Sequence, residues 1–171
     1  MLETRHSQGA QLYALMMPLR ERRLLLPNVW VAEVVGYSDP EPLADAPAWL
    51  AGQFPWRGVQ VPLLHMEALL DPGREPPARG RRVAVLYAPG TTLPVPFIAI
   101  VLQAIPSLLR LGEEDFTDGQ EGHPNPSGAI LRRIHVYGQA ALVPDLDALE
   151  RLLEPYAQSG TPAKEETDAV E

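Results

Sequence analysis

The sequence contains no cysteine, and Lys164 is its only lysine. The first absence excludes disulfides, thiolate nucleophiles and every zinc or iron–sulfur site that needs a cysteine ligand. The second excludes P-loop phosphate binding and Schiff-base chemistry from the body of the chain. No apolar run approaches the roughly 18 residues of a membrane span, and the N-terminus lacks the apolar core of a secretion signal. We therefore expect a cytoplasmic protein without direct membrane insertion.

Catalytic motifs are absent as well. Glycines never form G-x-G-x-x-G, no serine lies in G-x-S-x-G, and H-E-x-x-H does not occur. The triplet His65-Met66-Glu67 matches the H-x-E fragment of zinc deaminases, but those enzymes need cysteine ligands. An acidic cluster lacks the alternating ligand order of a calcium loop, which favours a solvated loop. This cluster comprises Glu113, Glu114, Asp115, Asp118 and Glu121. We predict no catalytic residue, no metal and no cofactor.

Length and charge narrow the class of protein further. The 171 residues suit one domain or two small lobes sharing a core. The formal net charge of -8 makes the average surface repel phosphate backbones, and no basic stripe offsets it. Nucleic acid is therefore not an expected partner.

Short apolar runs separated by nineteen prolines are typical of an all-β barrel or sandwich. The predicted strands are Leu12–Met17, Arg23–Pro27, Val29–Val35, Val59–Leu64, Arg82–Tyr87, Pro96–Leu102, Ile105–Leu111, Ile130–Tyr137 and Ala140–Val143.

Two segments predict helical structure. In ADAPAWLAGQF, Asp45 can cap a helical turn and Gly52 can close it. In PDLDALERLLEPY, Asp147 is the predicted N-cap of a C-terminal helix. This helix should pack through Leu149, Leu152 and Leu153.

Two predicted loops and one internal sequence similarity, called the echo below, indicate how the chain is divided. Asp71 to Arg82 reads as a loop between lobes, and Gly112 to Ser127 as a long acidic loop. At an offset of eighty residues, Leu64–Leu70 resembles Pro144–Glu150, because Met66, Glu67, Ala68 and Leu69 meet Leu146, Asp147, Ala148 and Leu149. The echo predicts two similar lobes, each with a strand followed by a helix.

The segment FPWRGVQVPLL contains the main candidate surface. Val59, Val61 and Leu63 fall on one strand face, and the same parity would bury Arg57. An unpaired buried guanidinium is costly, so we predict a turn that displays Arg57 beside Trp56. Tryptophan and arginine are enriched at interface hot spots. The alternative is a core Trp56 with an incidental surface arginine.

These residues resemble the CheW-like family, whose signature is a short helix ending in glycine, an Arg-Gly hairpin turn and an apolar strand. Here the pattern is APAWLAGQFPWRGVQVPLLHM, and LYALMMP, RRLLLPNVWVAEVVGY, FIAIVLQAI and ALVPDLDAL resemble further family segments. His65 and Gln103 replace the usual aspartates. These departures indicate a divergent member, such as an accessory coupling protein of a system controlling pili.

The resemblance implies an all-β fold of two five-stranded β-barrel lobes, with a short helix in lobe one and a C-terminal helix. We expect a flexible N-terminus (1–11), lobe one at about 12–70, lobe two at about 82–156, and a disordered acidic tail (157–171).

The implied function is that of a non-enzymatic adaptor in chemotaxis or twitching motility. Its partners would be the regulatory domain of a CheA-type histidine kinase and the cytoplasmic tip of a methyl-accepting chemoreceptor. Arg57, Trp56 and Gly58 would bind the receptor. Val31, Val34 and Val35 would bind the kinase.

Two other functions remain open on sequence grounds. One is a small β-barrel enzyme or ligand-binding protein with a deep polar pocket under the 112–127 loop. The other is an oligosaccharide-binding barrel that uses Trp30, Trp49 and Trp56 as stacking platforms.

Overall fold

A computed structural model of the chain describes residues 9–119 and 125–157. The strands in these ranges are β1 (Leu12–Pro18), β2 (Arg23–Pro27), β3 (Val31–Gly36), β4 (Leu50–Trp56), β5 (Val59–Leu64), β6 (Arg82–Tyr87), β7 (Phe97–Leu102), β8 (Ser107–Leu111), β9 (Phe116–Asp118), β10 (Ile130–Val136) and β11 (Gln139–Pro144). The helices are α1 (Met66–Leu70) and α2 (Leu146–Ala157), and short 3-10 turns lie at Asn28–Trp30 and Glu113–Asp115.

The strands form two sheets. One has the order β8-β1-β2-β11-β10-β9, and the other has the order β3-β6-β7-β5-β4. Neighbouring strands are antiparallel except for β5 with β7 and β2 with β11, which are parallel. Each parallel pair joins a hairpin that is local in sequence to strands from another part of the chain.

Backbone hydrogen bonds close the five-stranded sheet on itself. Beyond β3, Glu41 exchanges two backbone hydrogen bonds of 2.8 Å with Gln53 of β4, which is the opposite edge strand. In the six-stranded sheet, β9 follows β8 in the chain and pairs with β10. The predicted all-β fold of two barrels is therefore confirmed, with β9 as a sixth strand in one of them.

Three apolar clusters fill this architecture. The interior of the five-stranded barrel includes Phe54, Trp56 and Val83. The interior of the six-stranded barrel includes Met16 and Ile134. A larger cluster lies between the barrels and receives α1 and α2. It is called the seam core below, and its members include Leu24, Leu64, Leu86, Ile100, Leu142 and Leu149. Strands with one face in a barrel and the other in the seam core have an unbroken run of buried apolar residues, as in β6 and β7.

The barrels do not coincide with the predicted segments 12–70 and 82–156. The five-stranded barrel takes β3 to β7 and therefore includes strands from both sides of Asp71–Arg82. The six-stranded barrel combines β1 and β2 with β8 to β11. The chain crosses between barrels at Asn28–Trp30 and again between β7 and β8.

The helical turn predicted in ADAPAWLAGQF is wrong. Residues 50–54 of this segment belong to β4, and the short helix of the region is α1 instead. Gly52 does not end a helix. Its φ of +138° and the Glu41 carbonyl oxygen, 2.2 Å from where a Cβ would stand, explain the glycine. Barrel closure requires this close approach, which local helix signals cannot report.

The C-terminal helix is present with a different cap. Asp145, not Asp147, accepts a hydrogen bond from the Ala148 amide, with 3.0 Å between Oδ1 and N. Leu149 and Leu153 are buried in the seam core and Leu152 is partly buried, as predicted. Within the predicted acidic loop, residues 116–118 form β9. Most of the predicted tail lies outside the described residues.

The internal echo extends well beyond the side chains that suggested it. At the same offset of eighty, the bounds of β4 and β5 coincide with those of β10 and β11, and α1 begins where α2 begins. The two hairpin turns have matching backbone angles, with φ of 47° and 79° at Arg57-Gly58 and 48° and 77° at Tyr137-Gly138. Both hairpins carry a register shift at the same place. The two barrels are therefore built on one repeated hairpin–helix unit.

Candidate protein interface

Arg57 lies at the tip of the β4–β5 hairpin. Trp56 pairs with Val59, which leaves Arg57 and Gly58 as a two-residue loop. Both loop residues have positive φ, as type I′ hairpin turns require, and glycine satisfies that requirement at the second position. The Arg57 side chain is 67% exposed. The predicted turn therefore displays this guanidinium as expected.

Glu33 of β3 holds the hairpin tip in place. One carboxylate oxygen, Oε2, accepts hydrogen bonds from Trp56 Nε1 at 2.8 Å and from Arg57 Nε at 3.1 Å. The guanidinium carbon lies 5.1 Å from the centre of the Trp56 ring, within cation–π range. The hydrogen bond from Trp56, together with the charge of Arg57, holds the pKa of Glu33 below its usual range against the opposing effect of burial. The arginine is thus oriented by two contacts.

The support of the hairpin tip by Glu33 was not predicted. In the sequence, Glu33 stands out as the charged residue within the apolar segment Val31–Gly36. Its two hydrogen-bond partners are more than twenty positions away in the chain, and only barrel closure brings them to it.

Trp56 lies in the core and does not form a broad exposed surface. It is 9% exposed and packs edge-on against Phe97, with ring centres 4.8 Å apart. Phe97 in turn contacts Tyr87, which is 45% exposed. Of the two readings left open by the sequence, the structure therefore shows the core tryptophan. Trp56 contributes to the surface through the arginine that its ring supports.

The three valines of β3 do not share one face. Val31 and Val34 pack against the seam core, whereas Val35 packs against the interior of the five-stranded barrel. All three are half-buried, because β3 is an edge strand that pairs only with β6 along its length. The valines therefore belong to one strand edge and not to one apolar patch.

A second apolar surface was not predicted. Tyr13, Val29, Trp30 and Leu108, called the junction patch below, are between 37% and 73% exposed. Tyr13 and Leu108 lie on the outer face of β1 and β8, next to Leu15, which reaches the seam core. Val29 and Trp30 lie in the 3-10 turn that carries the chain from one barrel to the other. Large exposed apolar side chains at such a junction are typical of interaction sites.

The candidate polar residues that the structure describes lie in separate places. Among the described residues, no three His, Asp or Glu side chains are grouped so as to hold a metal ion. Asp115 accepts a hydrogen bond from the Gly112 amide at 2.7 Å, and Asp118 pairs with Arg132 at 2.6 Å. His65 lies at the start of α1, where burial lowers its pKa. Glu121 and His123 lie outside the described residues.

In the described part of the chain, the surroundings of both rival sites differ from the predicted ones. The cavity beneath residues 116–118 is mainly apolar, not the deep polar pocket expected of an enzyme. The tryptophans lie in separate surroundings, with Trp56 buried in a barrel, Trp49 edge-on to Tyr156 and Trp30 in the crossover turn. They therefore provide no common stacking platform.

The chain is thus a double barrel that displays an arginine at a hairpin tip and an apolar patch at the barrel junction. The family model of the CheW-like domain matches residues 14–153, and the chain belongs to this family. No helix in the described ranges has both the length and the apolar character needed to span a bilayer.

The fold is similar to that of a solved structure, the scaffolding protein TtCheW from Thermoanaerobacter tengcongensis. The TM-score is 0.65 at 13% sequence identity, and the match covers 82% of this chain and 88% of that one. At this identity the likeness concerns the fold. No curated protein sequence matches the chain.

Proposed function

We propose that the chain is a non-enzymatic cytoplasmic scaffold that couples chemoreceptors to a CheA-type histidine kinase in a bacterial chemosensory complex. Membership of the CheW-like family supports this proposal. The regulated behaviour is flagellar chemotaxis or pilus-driven twitching.

The proposed receptor contact rests on Arg57, whose side chain is held in place by Glu33 and Trp56. A free arginine side chain loses considerable rotamer entropy when a partner immobilises it. Here Glu33 and the Trp56 ring already restrict the guanidinium, so binding costs less entropy. Its outward donors can meet acceptors on a receptor helical hairpin, while Gly58 maintains the turn. We assign Arg57, Trp56 and Gly58 to this contact.

The junction patch extends the receptor surface. A helical hairpin buries apolar side chains at helical spacing, and the exposed Tyr13, Trp30 and Leu108 provide an apolar surface for them. Arg57 would then supply the polar, orienting contact. Such a division between an apolar centre and a charged rim is common at protein interfaces.

The kinase contact is assigned to β3. Val31 and Val34 face the seam core and Val35 faces the barrel interior, so a partner that contacts all three must meet the partly exposed portions of both sides of β3.

A paired titration of the variant Arg57→Glu tests the receptor assignment. The partners are a receptor signalling fragment and the kinase regulatory domain. Arg132→Glu is a matched control, because Arg132 is also an exposed arginine paired with a carboxylate, in the other barrel. We expect Arg57→Glu to weaken receptor binding about thirtyfold, as for an interface hot spot of roughly 2 kcal/mol.

The control should bind both partners like the wild type, and kinase binding by Arg57→Glu should change less than about twofold. Arg57→Gln, which avoids placing two carboxylates together, should show the same selective loss to a smaller degree. Thermal melts establish folding. Unchanged receptor binding in a folded Arg57→Glu protein would remove Arg57 from the site, and equal loss of both partners would refute separate surfaces.

A further inference from the structure

A cavity opens at one end of the six-stranded barrel. It has a volume of about 550 Å³ and is lined by residues from all six strands of the sheet. Its floor is formed by Ala14, Leu25, Leu111 and Ile134, each at most 8% exposed. These residues belong to the apolar interior of this barrel. The cavity is therefore an open pocket whose floor is the apolar core of this barrel.

The repeated hairpin accounts for part of this space. Advancing by eighty residues replaces Phe54 by Ile134, Trp56 by Val136, Val61 by Ala141 and Leu63 by Val143. All four residues of the first set pack inside the five-stranded barrel. Each counterpart in the six-stranded barrel is smaller, and two of them, Ile134 and Val143, line the cavity. The same backbone unit thus carries smaller side chains where the cavity lies.

The mouth of the cavity has a distinct chemistry. Leu12 and Phe116 form an apolar rim, 40% and 38% exposed. Opposite charges meet beside them, where Arg132 donates to Asp118 across 2.6 Å. This pair offers a donor and an acceptor but almost no net charge. A neutral polar group gains from it, whereas a full anion or cation meets one repelling partner.

We propose that the six-stranded barrel binds a small, mainly apolar molecule that carries one neutral hydrogen-bonding group, such as a hydroxyl, aromatic amine or carbonyl. Its aromatic or branched body occupies the space above Ala14 and Ile134, and its polar group meets the Arg132–Asp118 pair. The volume lies within the range of small-molecule sites, which often occupy barrel mouths. The proposal does not depend on the scaffold function.

Fluorescence titration with N-phenyl-1-naphthylamine, a neutral aromatic amine, tests this site in the full chain. We expect saturable binding with enhanced emission. The variant Ile134→Phe/Val143→Leu places the larger residues of the five-stranded barrel at the matching positions of the cavity wall and should weaken binding at least fivefold. Leu131→Phe adds the same kind of ring on β10, but at a side chain that is 63% exposed, and should change affinity less than twofold.

If the double variant folds poorly, two further measurements test the same site. Ala14→Leu reduces the cavity at its floor and should also weaken probe binding. In methyl NMR of the wild type, the probe should shift Leu25, Leu111 and Ile134, while Val61 and Val83 of the other barrel stay unshifted. Shifts confined to the junction patch would overturn the site.

The preference for a neutral polar group is tested separately. The anionic analogue 8-anilino-1-naphthalenesulfonate should bind at least fivefold more weakly than the neutral probe. Equal affinity would contradict selection for a neutral group. Neutral-probe binding that appears only after removal of residues 1–8 would overturn the proposal, because the chain itself would then occupy the cavity.

Discussion

The Glu33 carboxylate accepts a hydrogen bond from the Trp56 indole at 2.8 Å and thereby joins the two edge strands of the five-stranded barrel. The same oxygen accepts from Arg57. Closure of the barrel and orientation of the exposed arginine therefore depend on one group. Further along the same edges, the backbones of Glu41 and Gln53 complete the closure.

Replacing Glu33 separates these two roles. Glu33→Gln retains an oxygen for the Trp56 indole but removes the charge that pairs with Arg57. Glu33→Ala removes both. We expect the alanine variant to melt at a lower temperature than the glutamine variant, because it leaves a buried indole N–H without its acceptor. Both variants should bind the receptor fragment more weakly. Identical melting of both variants would show that the Trp56 contact does not stabilise the barrel.

Two glycines of the same hairpin should respond differently to alanine. At Gly52, a Cβ would stand 2.2 Å from the Glu41 carbonyl oxygen, in addition to the unfavourable φ. At Gly58, φ is also positive, but no atom lies within 4 Å. We expect Gly52→Ala to cost about 3 kcal/mol or more in unfolding free energy, and Gly58→Ala about 1 kcal/mol. Urea unfolding measures both, and equal costs would contradict the close approach at Gly52.

Glu150 should make the fold sensitive to acid. Its carboxylate is buried and accepts hydrogen bonds from Gly90 N at 2.7 Å, Thr92 N at 3.0 Å and Thr92 Oγ1 at 2.7 Å. Burial alone would raise the pKa of Glu150, but the hydrogen bonds from Thr92 and Gly90 outweigh it and leave the pKa below the usual value of 4.5. A lowered folded-state pKa stabilises the fold above the unfolded-state pKa, and this contribution is lost as the pH falls through the folded value.

The measurement is urea unfolding of wild type and Glu150→Gln between pH 7 and pH 3. At pH 7 the variant should be less stable by about 1–3 kcal/mol, since the charged acceptor of three hydrogen bonds is gone. Below about pH 4.5 the difference should shrink. The exposed Glu154→Gln on the same helix is the control and should follow the wild type. A difference independent of pH would contradict the assignment to the ionised carboxylate.

Elements whose signals are local were predictable. The pattern of apolar residues and prolines predicted β2, β5 and β6 with the bounds that the structure shows. The Arg57-Gly58 turn followed from strand parity and the cost of a buried guanidinium. The eighty-residue echo pointed to a repeated unit, because side-chain size and polarity at a strand end and helix start are specified by neighbours in sequence.

Elements that depend on distant partners were missed. A three-residue strand such as β9 carries almost no periodicity, and it exists because β10 supplies its hydrogen bonds. Gly52 resembled a helix end, since nothing local indicates that Glu41 will approach it. The helix cap moved from Asp147 to Asp145, because both aspartates suit the role and the end of β11 decides which one is in position.

The sequence alone determined the strand segments, the hairpin turn, the apolar faces and the family resemblance, because these reside in neighbouring side chains and their spacing. Only the tertiary structure decided that β1 and β2 join the six-stranded barrel, that Glu33 meets Trp56, and that a cavity opens at the end of the six-stranded barrel. The physical reason is that backbone hydrogen bonds between strands do not depend on side-chain identity. Strand partners are therefore selected by how all the apolar faces can be buried together, which is a property of the whole chain.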